Sequence, residues 1–183
     1  MSKKISVFGG SKPEPGSPAY QEAYQLGQLL GSAGMTVLTG GYTGTMEAAS
    51  RGASEAGGHV IGVTSEEIEA WRPIGPNAWV AEEWRCQTLQ ERLNTLVESC
   101  DAAIALPGGI GTFLEICLTW NQLVIEIMDP KPLILLGSGW HTVMETFFTE
   151  LGDYVSIDDR QFLAFAPDPE SALELLQHFM GSA

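Results

Sequence analysis

The run Pro107-Gly108-Gly109-Ile110-Gly111-Thr112-Phe113-Leu114-Glu115 combines glycines, a hydroxyl and a carboxylate directly after an apolar stretch, Ala102-Ala103-Ile104-Ala105-Leu106. The stretch reads as a buried strand and the residues beyond it as the start of a helix. Backbone N–H groups converge on an anion in that arrangement, and glycines let a phosphate approach the chain closely. Glu115 then lies one turn into the helix. A looser copy, Thr39-Gly40-Gly41-Tyr42-Thr43-Gly44-Thr45-Met46-Glu47, follows Val37-Leu38. Two such loops predict a site for a phosphorylated small molecule, with Gly40, Gly41, Gly44, Gly108, Gly109 and Gly111 as its cradle. Thr45 and Thr112 are candidate hydroxyl donors to the same group. The bland alternative for the glycines is that they only make turns.

Other chemistry-bearing residues admit two readings each. Thr112-Phe113-Leu114-Glu115 fits a capping box, in which Glu115 would merely bond the backbone at the helix start; the alternative is a carboxylate facing a ligand. Thr88-Leu89-Gln90-Glu91 also fits a capping box and makes Glu91 structural. Arg92 follows Leu89 by three and precedes Leu96 by four, which sets it at or beside an apolar stripe. A cation there is costly unless paired; otherwise it snorkels to the surface. Because a guanidinium stays protonated, Arg92 suits binding or electrostatic stabilisation rather than proton donation. Met46 packs in the core or touches a ligand. Glu47 is either a ligand partner or an acid favoured by the helix dipole.

These residues need a frame, and strand and helix patterns alternate along the chain. Apolar segments 5–9, 35–39, 59–64, 101–106 and 132–136 read as strands. Segments 18–33, 43–56, 88–99, 112–127, 139–151 and 169–180 read as helices, with residues 65–87 irregular. Strands apolar throughout and interleaved with helices predict a Rossmann-like α/β fold, a mostly parallel sheet covered on both faces. Ligands of such sheets bind beyond the carboxyl ends of the strands, where both glycine loops fall. At 183 residues, one domain over 1–183 is expected.

Composition excludes several classes. Hydrophobic residues at 44% and charged residues at 17% are globular values. A net charge of −14 argues against a nucleic-acid partner, yet it permits one phosphate held by local N–H groups, since screening limits repulsion to roughly 10 Å. Cys86, Cys100 and Cys117 are widely spaced and show no CxxC, which fits a reducing cytoplasm and no zinc site. His59, His141 and His178 share no metal-ligand spacing, so no metal and no cofactor are expected. No apolar run approaches about 18 residues, so no membrane partner is expected. GxGxxG after the first strand and GxxxxGK[ST] are both absent, which excludes a dinucleotide fingerprint and a Walker-type site.

Pro107–Glu115 resembles the PGGxGTxxE motif of the LOG ("lonely guy") family, and the likeness extends over most of the chain. Leu89-Gln90-Glu91-Arg92-Leu93 is similar to that family's helix with an Arg-Lys pair, Arg92 matching the arginine. Gly40-Gly41-Tyr42-Thr43-Gly44-Thr45-Met46 is similar to its GGxxGxM loop, and Gly10-Ser11 to its first-strand Gly-Ser. Leu93 stands in place of the lysine, and Glu47 in place of a glycine. The resemblance implies a usually dimeric enzyme that hydrolyses the N-glycosidic bond of nucleoside 5′-monophosphates, including cytokinin riboside monophosphates. It implies catalytic Arg92 and Glu115, the latter stabilising an oxocarbenium-like transition state or orienting water. Ser11, Gly40, Gly41, Gly44, Thr45, Met46, Pro107, Gly108, Gly109, Gly111 and Thr112 become the substrate and phosphate contacts. The competing expectation is a non-catalytic carrier that binds a nucleotide or phosphorylated cofactor through the same loops. A homodimer is expected, with Leu118, Trp120, Leu123 and Val124 as its surface or as core. Trp71, Trp79 and Trp84 are expected to lid the ligand or pack against a second copy.

Overall fold

A computed structural model describes residues 2–181. Seven parallel strands form one sheet in the order β4-β3-β2-β1-β5-β6-β7. The first half of the chain runs β1 (Lys4–Phe8), α1 (Pro18–Ser32), β2 (Thr36–Thr39), α2 (Thr45–Glu55), β3 (Val60–Ser65), α3 (Glu66–Trp71), β4 (Glu82–Cys86) and α4 (Leu89–Glu98). The second half runs β5 (Ala102–Ala105), α5 (Ile110–Val124), β6 (Leu133–Leu136), α6 (Ser138–Leu151), a short 3-10 turn (Gly152–Tyr154), α7 (Ile157–Arg160), β7 (Leu163–Ala166) and α8 (Pro169–Gly181). The parallel α/β architecture is as the alternation of patterns predicts.

Central strands have no exposed face, which is why they read as unbroken apolar runs: every residue of β2, β3, β5 and β6 is buried. Side chains alternate between two cores. Ile5, Val7, Val37, Ile104 and Ile134 pack beneath α1, α2 and α8. Phe8, Ala103, Ala105, Leu133 and Leu135 face the other way, against Leu96, Ile116 and Met144.

Sequence patterning misses β4 and β7, the two edge strands. β4 reads Glu-Glu-Trp-Arg-Cys and has no buried residue; edge strands are commonly short or charged because one side lacks a partner. The 65–87 segment thus contains a helix and a strand where none is expected. Beyond α3 it also pins a glycine loop: Asn77 donates through Nδ2 to the carbonyls of Gly41 and Tyr42, each at 3.0 Å. No described helix is long and apolar enough to cross a membrane.

Connections leave β1 toward β2 on one side, while β5 returns on the other. The carboxyl ends of these neighbours therefore diverge, which opens a crevice at that edge.

Candidate functional site

A cleft of about 740 Å³ occupies that crevice. Its near wall is the loop after β1, with Gly10, Ser11 and Lys12. Its end is the loop after β5 and the first turn of α5, residues 107–112. Tyr42, Met46, Arg92 and Glu115 form the buried floor. Ile68, Trp71, Arg72, Ile74 and Leu89 supply a more apolar far wall. Leu106 N donates to Phe8 O at 2.9 Å, which locks the two strand ends together.

Helix α5 begins at Ile110, two residues earlier than its pattern suggests, with Gly109 at the N-cap and no side chain capping it. The amides of Ile110, Gly111 and Thr112 therefore lack intrahelical acceptors at the positive end of a 15-residue helix. Glycine at 109 is not demanded by the backbone, whose φ is −97°. Nor is it demanded by packing, because a Cβ there or at Gly111 would meet nothing within 4 Å. What the missing side chains leave is open space over the uncapped amides. Gly108 differs: a Cβ there would fall 2.2 Å from Thr112 Oγ1, so this glycine seats Thr112.

The early start of α5 also decides between the readings of Glu115. It is the sixth helical residue, beyond the reach of a capping box, and no such box forms. Its residue is 8% exposed, and its carboxylate accepts no hydrogen bond from the described residues. Burial pushes its pKa up to about 7, against the opposing pull of the Arg92 cation. A carboxyl so placed exchanges a proton near neutrality, as a group acting on water or on a developing cation requires.

Arg92 comes from α4, where the predicted capping box does form: Thr88 Oγ1 accepts from Glu91 N at 3.1 Å and Glu91 Oε2 from Thr88 N at 3.3 Å. The guanidinium turns inward, 7% exposed, and does not snorkel. Nε donates to Val63 O at 2.8 Å and Nη2 to Gly40 O at 3.1 Å, while the group lies 5.7 Å from the centroid of the Tyr42 ring. These carbonyls and the aromatic face offset part of the desolvation that depresses its pKa. Nη1 is left without a hydrogen bond among the described residues.

The second glycine loop has a different job from the one expected of it. Gly40, Gly41, Gly44 and Thr45 do not line the cleft. A Cβ on Gly40 would sit 1.9 Å from Arg92 Nη2 and 2.5 Å from Met46 Sδ, so Gly40 is the seat of Arg92. Gly41 and Gly44 take φ of 78° and 77° to bend the loop. Thr45 donates backbone N and Oγ1 to Gly10 O at 2.9 and 3.1 Å, clamping this loop onto the one after β1. Of the predicted contacts here, Met46 alone reaches the cleft, joined by Tyr42, which glycine spacing does not single out. Ser11, Pro107, Gly108, Gly109, Gly111 and Thr112 all line it. Glu47 instead meets Tyr20 Oη at 3.5 Å on the α1 side.

The tryptophans divide. Trp71, 82% exposed, stands on the cleft wall, while Trp79 stacks on Arg51 and Trp84 on Lys4. Leu123 is core, Leu118 and Trp120 pack against the same core, and Trp120 donates to Asp159 O at 2.8 Å, while Val124 stays half-buried. Among the described residues no cluster of three His, Cys, Asp or Glu could hold a metal. A second opening of about 670 Å³ lies at the amino edge of the sheet beside Lys3, Asp101 and Lys131. There Lys131 is engaged in capping α4 through the carbonyls of Val97 and Cys100.

Comparison with known proteins places this cleft in context. The model of the SLOG cluster4 family matches residues 2–149. A cytokinin riboside 5′-monophosphate phosphoribohydrolase of Arabidopsis thaliana is 30% identical over 184 residues, covering 97% of this chain and 84% of the relative. Among solved structures, the molybdenum cofactor binding protein of Rippkaea orientalis superposes with a TM-score of 0.78 at 29% identity, covering 98% of each chain. The molybdenum cofactor carrier protein of Chlamydomonas reinhardtii does so with a TM-score of 0.76 at 26% identity, covering 99% of each.

Proposed function

Since the chain belongs to the SLOG cluster4 family, whose LOG-type relatives include phosphoribohydrolases, we propose that its cleft hydrolyses the N-glycosidic bond of a nucleoside 5′-monophosphate to free base and ribose 5-phosphate. The observation that carries this reading is Glu115, a buried and unpartnered carboxyl lining the same cleft as the uncapped amides of α5 and the Arg92 guanidinium. In this reading the 5′-phosphate sits over Gly109 and Gly111, where helix dipole and amides favour negative charge. The ribose then lies along the first turns of α5 toward Glu115. As the C1′–N bond breaks, positive charge grows at C1′, and an ionised Glu115 stabilises it and orients the attacking water. One water proton ends on the departing base and the hydroxyl on C1′. Arg92 favours the ionised carboxylate and, through Nη1, stabilises charge on the leaving base. Met46, Tyr42, Ile68 and Trp71 offer the base an apolar surface.

The test is incubation of the purified protein with a panel of nucleoside 5′-monophosphates, cytokinin riboside monophosphates included, with free base and ribose 5-phosphate quantified. Stoichiometric appearance of both supports the reading; intact nucleotide throughout removes it.

A second reading is favoured by the end-to-end match to two molybdenum cofactor proteins. The same amides would hold the phosphate of a cofactor that is carried unchanged. Leu93, where the LOG pattern has lysine, is only 6% exposed and belongs to the core, so the cleft lacks one cation of the hydrolase pattern. Tight ligand binding without base release selects this reading. For the assembly we propose a homodimer, supported by the family resemblance and by apolar side chains that α5 leaves exposed, Ile110 at 89% and Leu114 at 48%. A cytoplasmic setting suits the three free cysteines.

A further inference from the structure

Between Ser65 and Asn77 the chain buries no residue. Residues 66–76 comprise α3 and the loop after it, and the half-buried positions among them are Ile68, Glu69 and Ile74. Ile68 and Ile74 line the cleft together with the exposed Trp71. A helix of six residues has no stability of its own, since isolated helices shorter than about 12–15 residues are marginal in water. The place of this apolar wall is therefore set by what ties it down.

The ties along α3 are polar. Arg85 pairs with Glu66 and Glu69, and Glu67 Oε2 accepts from Leu89 N at 2.7 Å. Arg85 is half exposed, and ion pairs at such sites contribute little. Residues 73–76 make no hydrogen bond among the described residues. The firmer ties are at the two ends, and both lead to one residue. Tyr42 Oη accepts from Ser65 N at 2.8 Å, and it lies 3.3 Å from Ser65 O and 3.4 Å from Glu69 Oε1, either of which takes its single proton. The Ser65 bond is buried, and a bond shielded from water is electrostatically stronger. At the other end Asn77 Nδ2 donates to Tyr42 O and Gly41 O, each at 3.0 Å. Asn77 is itself held, because its Oδ1 accepts from Trp79 N at 3.1 Å and Trp79 lies against Arg51 of α2. Residues 66–76 thus form a closed surface loop with both ends on one post. The ring of that post lies beside the Arg92 guanidinium on the floor.

Resting on the nucleotide site proposed above, we infer that Tyr42 is a positioning residue for base recognition: its hydroxyl and its carbonyl pin the two ends of residues 66–76 and so hold Ile68, Trp71 and Ile74 as the face on which a planar heterocyclic base stacks. The uncapped amides belong to a different element, α5, so phosphate and base are recognised by separable parts of the cleft. Loosening the wall costs affinity for the base and leaves affinity for the sugar phosphate. A base stacked on apolar and aromatic side chains gains about tenfold in affinity.

Titration calorimetry with AMP and with ribose 5-phosphate, on the purified protein, on Tyr42→Phe and on Asn77→Ala, tests this. Phenylalanine keeps the ring beside Arg92 and removes the hydroxyl. Asn77 is half-buried and outside any helix or strand, so Asn77→Ala carries the test if Tyr42→Phe does not fold. The parent should bind AMP about tenfold more tightly than ribose 5-phosphate, and each variant should lower that ratio at least about threefold with its ribose 5-phosphate affinity unchanged. Hydrogen exchange, which needs no ligand, should quicken at residues 66–76 in both variants and stay the same in β1 and β5. A parent ratio that survives in both variants, or exchange no faster at 66–76, overturns the role of Tyr42 and leaves the nucleotide site standing. Equal loss of both ligands in a folded variant overturns it too, since Tyr42 then only supports the fold. A parent ratio of one removes the wall as the seat of the base. Absence of binding by either ligand removes the nucleotide site and this inference together.

Discussion

Replacing Glu115 by Gln should stabilise the ligand-free protein at alkaline pH, at the site where its function is proposed to reside. In the native state burial holds the carboxyl protonated up to about pH 7, whereas its ordinary pKa is 4.5. Between these values the folded protein binds more protons at this position than the unfolded chain does, so stability falls as pH rises through the window. Below about 4.5 both states are protonated and nothing is lost; above about 7 both are ionised and the loss is complete. At 1.36 kcal/mol per pKa unit, the 2.5-unit gap amounts to about 3 kcal/mol. Glutamine has nearly the same shape and never ionises, so it should escape that cost. Urea unfolding of parent and variant at pH 4, 6 and 8.5 reads the difference directly. The expected gain is near zero at pH 4 and about 3 kcal/mol at pH 8.5, roughly 6–12 °C in Tm for a chain of this size. A variant equally or less stable than the parent at pH 8.5 would refute the claim that Glu115 is an unpartnered buried acid.

Other perturbations separate the parts of the cleft. At Gly109 an added Cβ meets no protein atom and the backbone φ is allowed, so Gly109→Val should fold yet weaken AMP binding by at least about tenfold, as competitive titration would show; unchanged affinity would remove the cradle. Gly40→Ala should instead destabilise the fold, by about 1.5–3 kcal/mol, because the new methyl displaces Arg92 Nη2 from the Gly40 carbonyl while Nε keeps Val63 O. Denaturation monitored by fluorescence gives that value, and a loss under 1 kcal/mol would show that Arg92 has another resting place. Light scattering at micromolar concentration should return twice the chain mass of 19.7 kDa, and a mass near 19.7 kDa itself would refute the dimer.

Much of this arrangement is legible in the sequence because the buried centre of a parallel sheet writes itself as unbroken apolar runs. Val37-Leu38 and the run ending in Leu106 mark β2 and β5, and the glycines after each mark the carboxyl edge of the sheet. The end of the cleft built by Pro107–Thr112 is legible without further help. What stays hidden has physical causes. Edge strand β4, Glu-Glu-Trp-Arg-Cys, lacks a second neighbour and with it the apolar signature, while edge strand β7, Leu-Ala-Phe-Ala, is apolar but only four residues long. The start of α5 is obscured because Gly109 caps it without a side chain, and that shift of two residues decides whether Glu115 is a cap or faces the cleft. The glycines after β2 look like a second cradle, since the spacing that admits a phosphate equally admits a guanidinium; only Gly40 against Arg92 Nη2 tells them apart. Lys12 and Arg72 carry no local pattern at all, and their common cleft emerges only once β3 and β1 are placed in one sheet.

Turnover of a nucleoside 5′-monophosphate by the parent and by Glu115→Gln, measured as free base between pH 5 and 9, tests the central claim most directly. If Glu115 must be ionised to stabilise the oxocarbenium-like transition state, the parent rate should climb through pH about 7 and level off. The variant should bind nucleotide yet fall by roughly two to four powers of ten, about 3–5 kcal/mol of transition-state stabilisation. Base release by Glu115→Gln at the parent rate, with the same pH profile, would contradict the account.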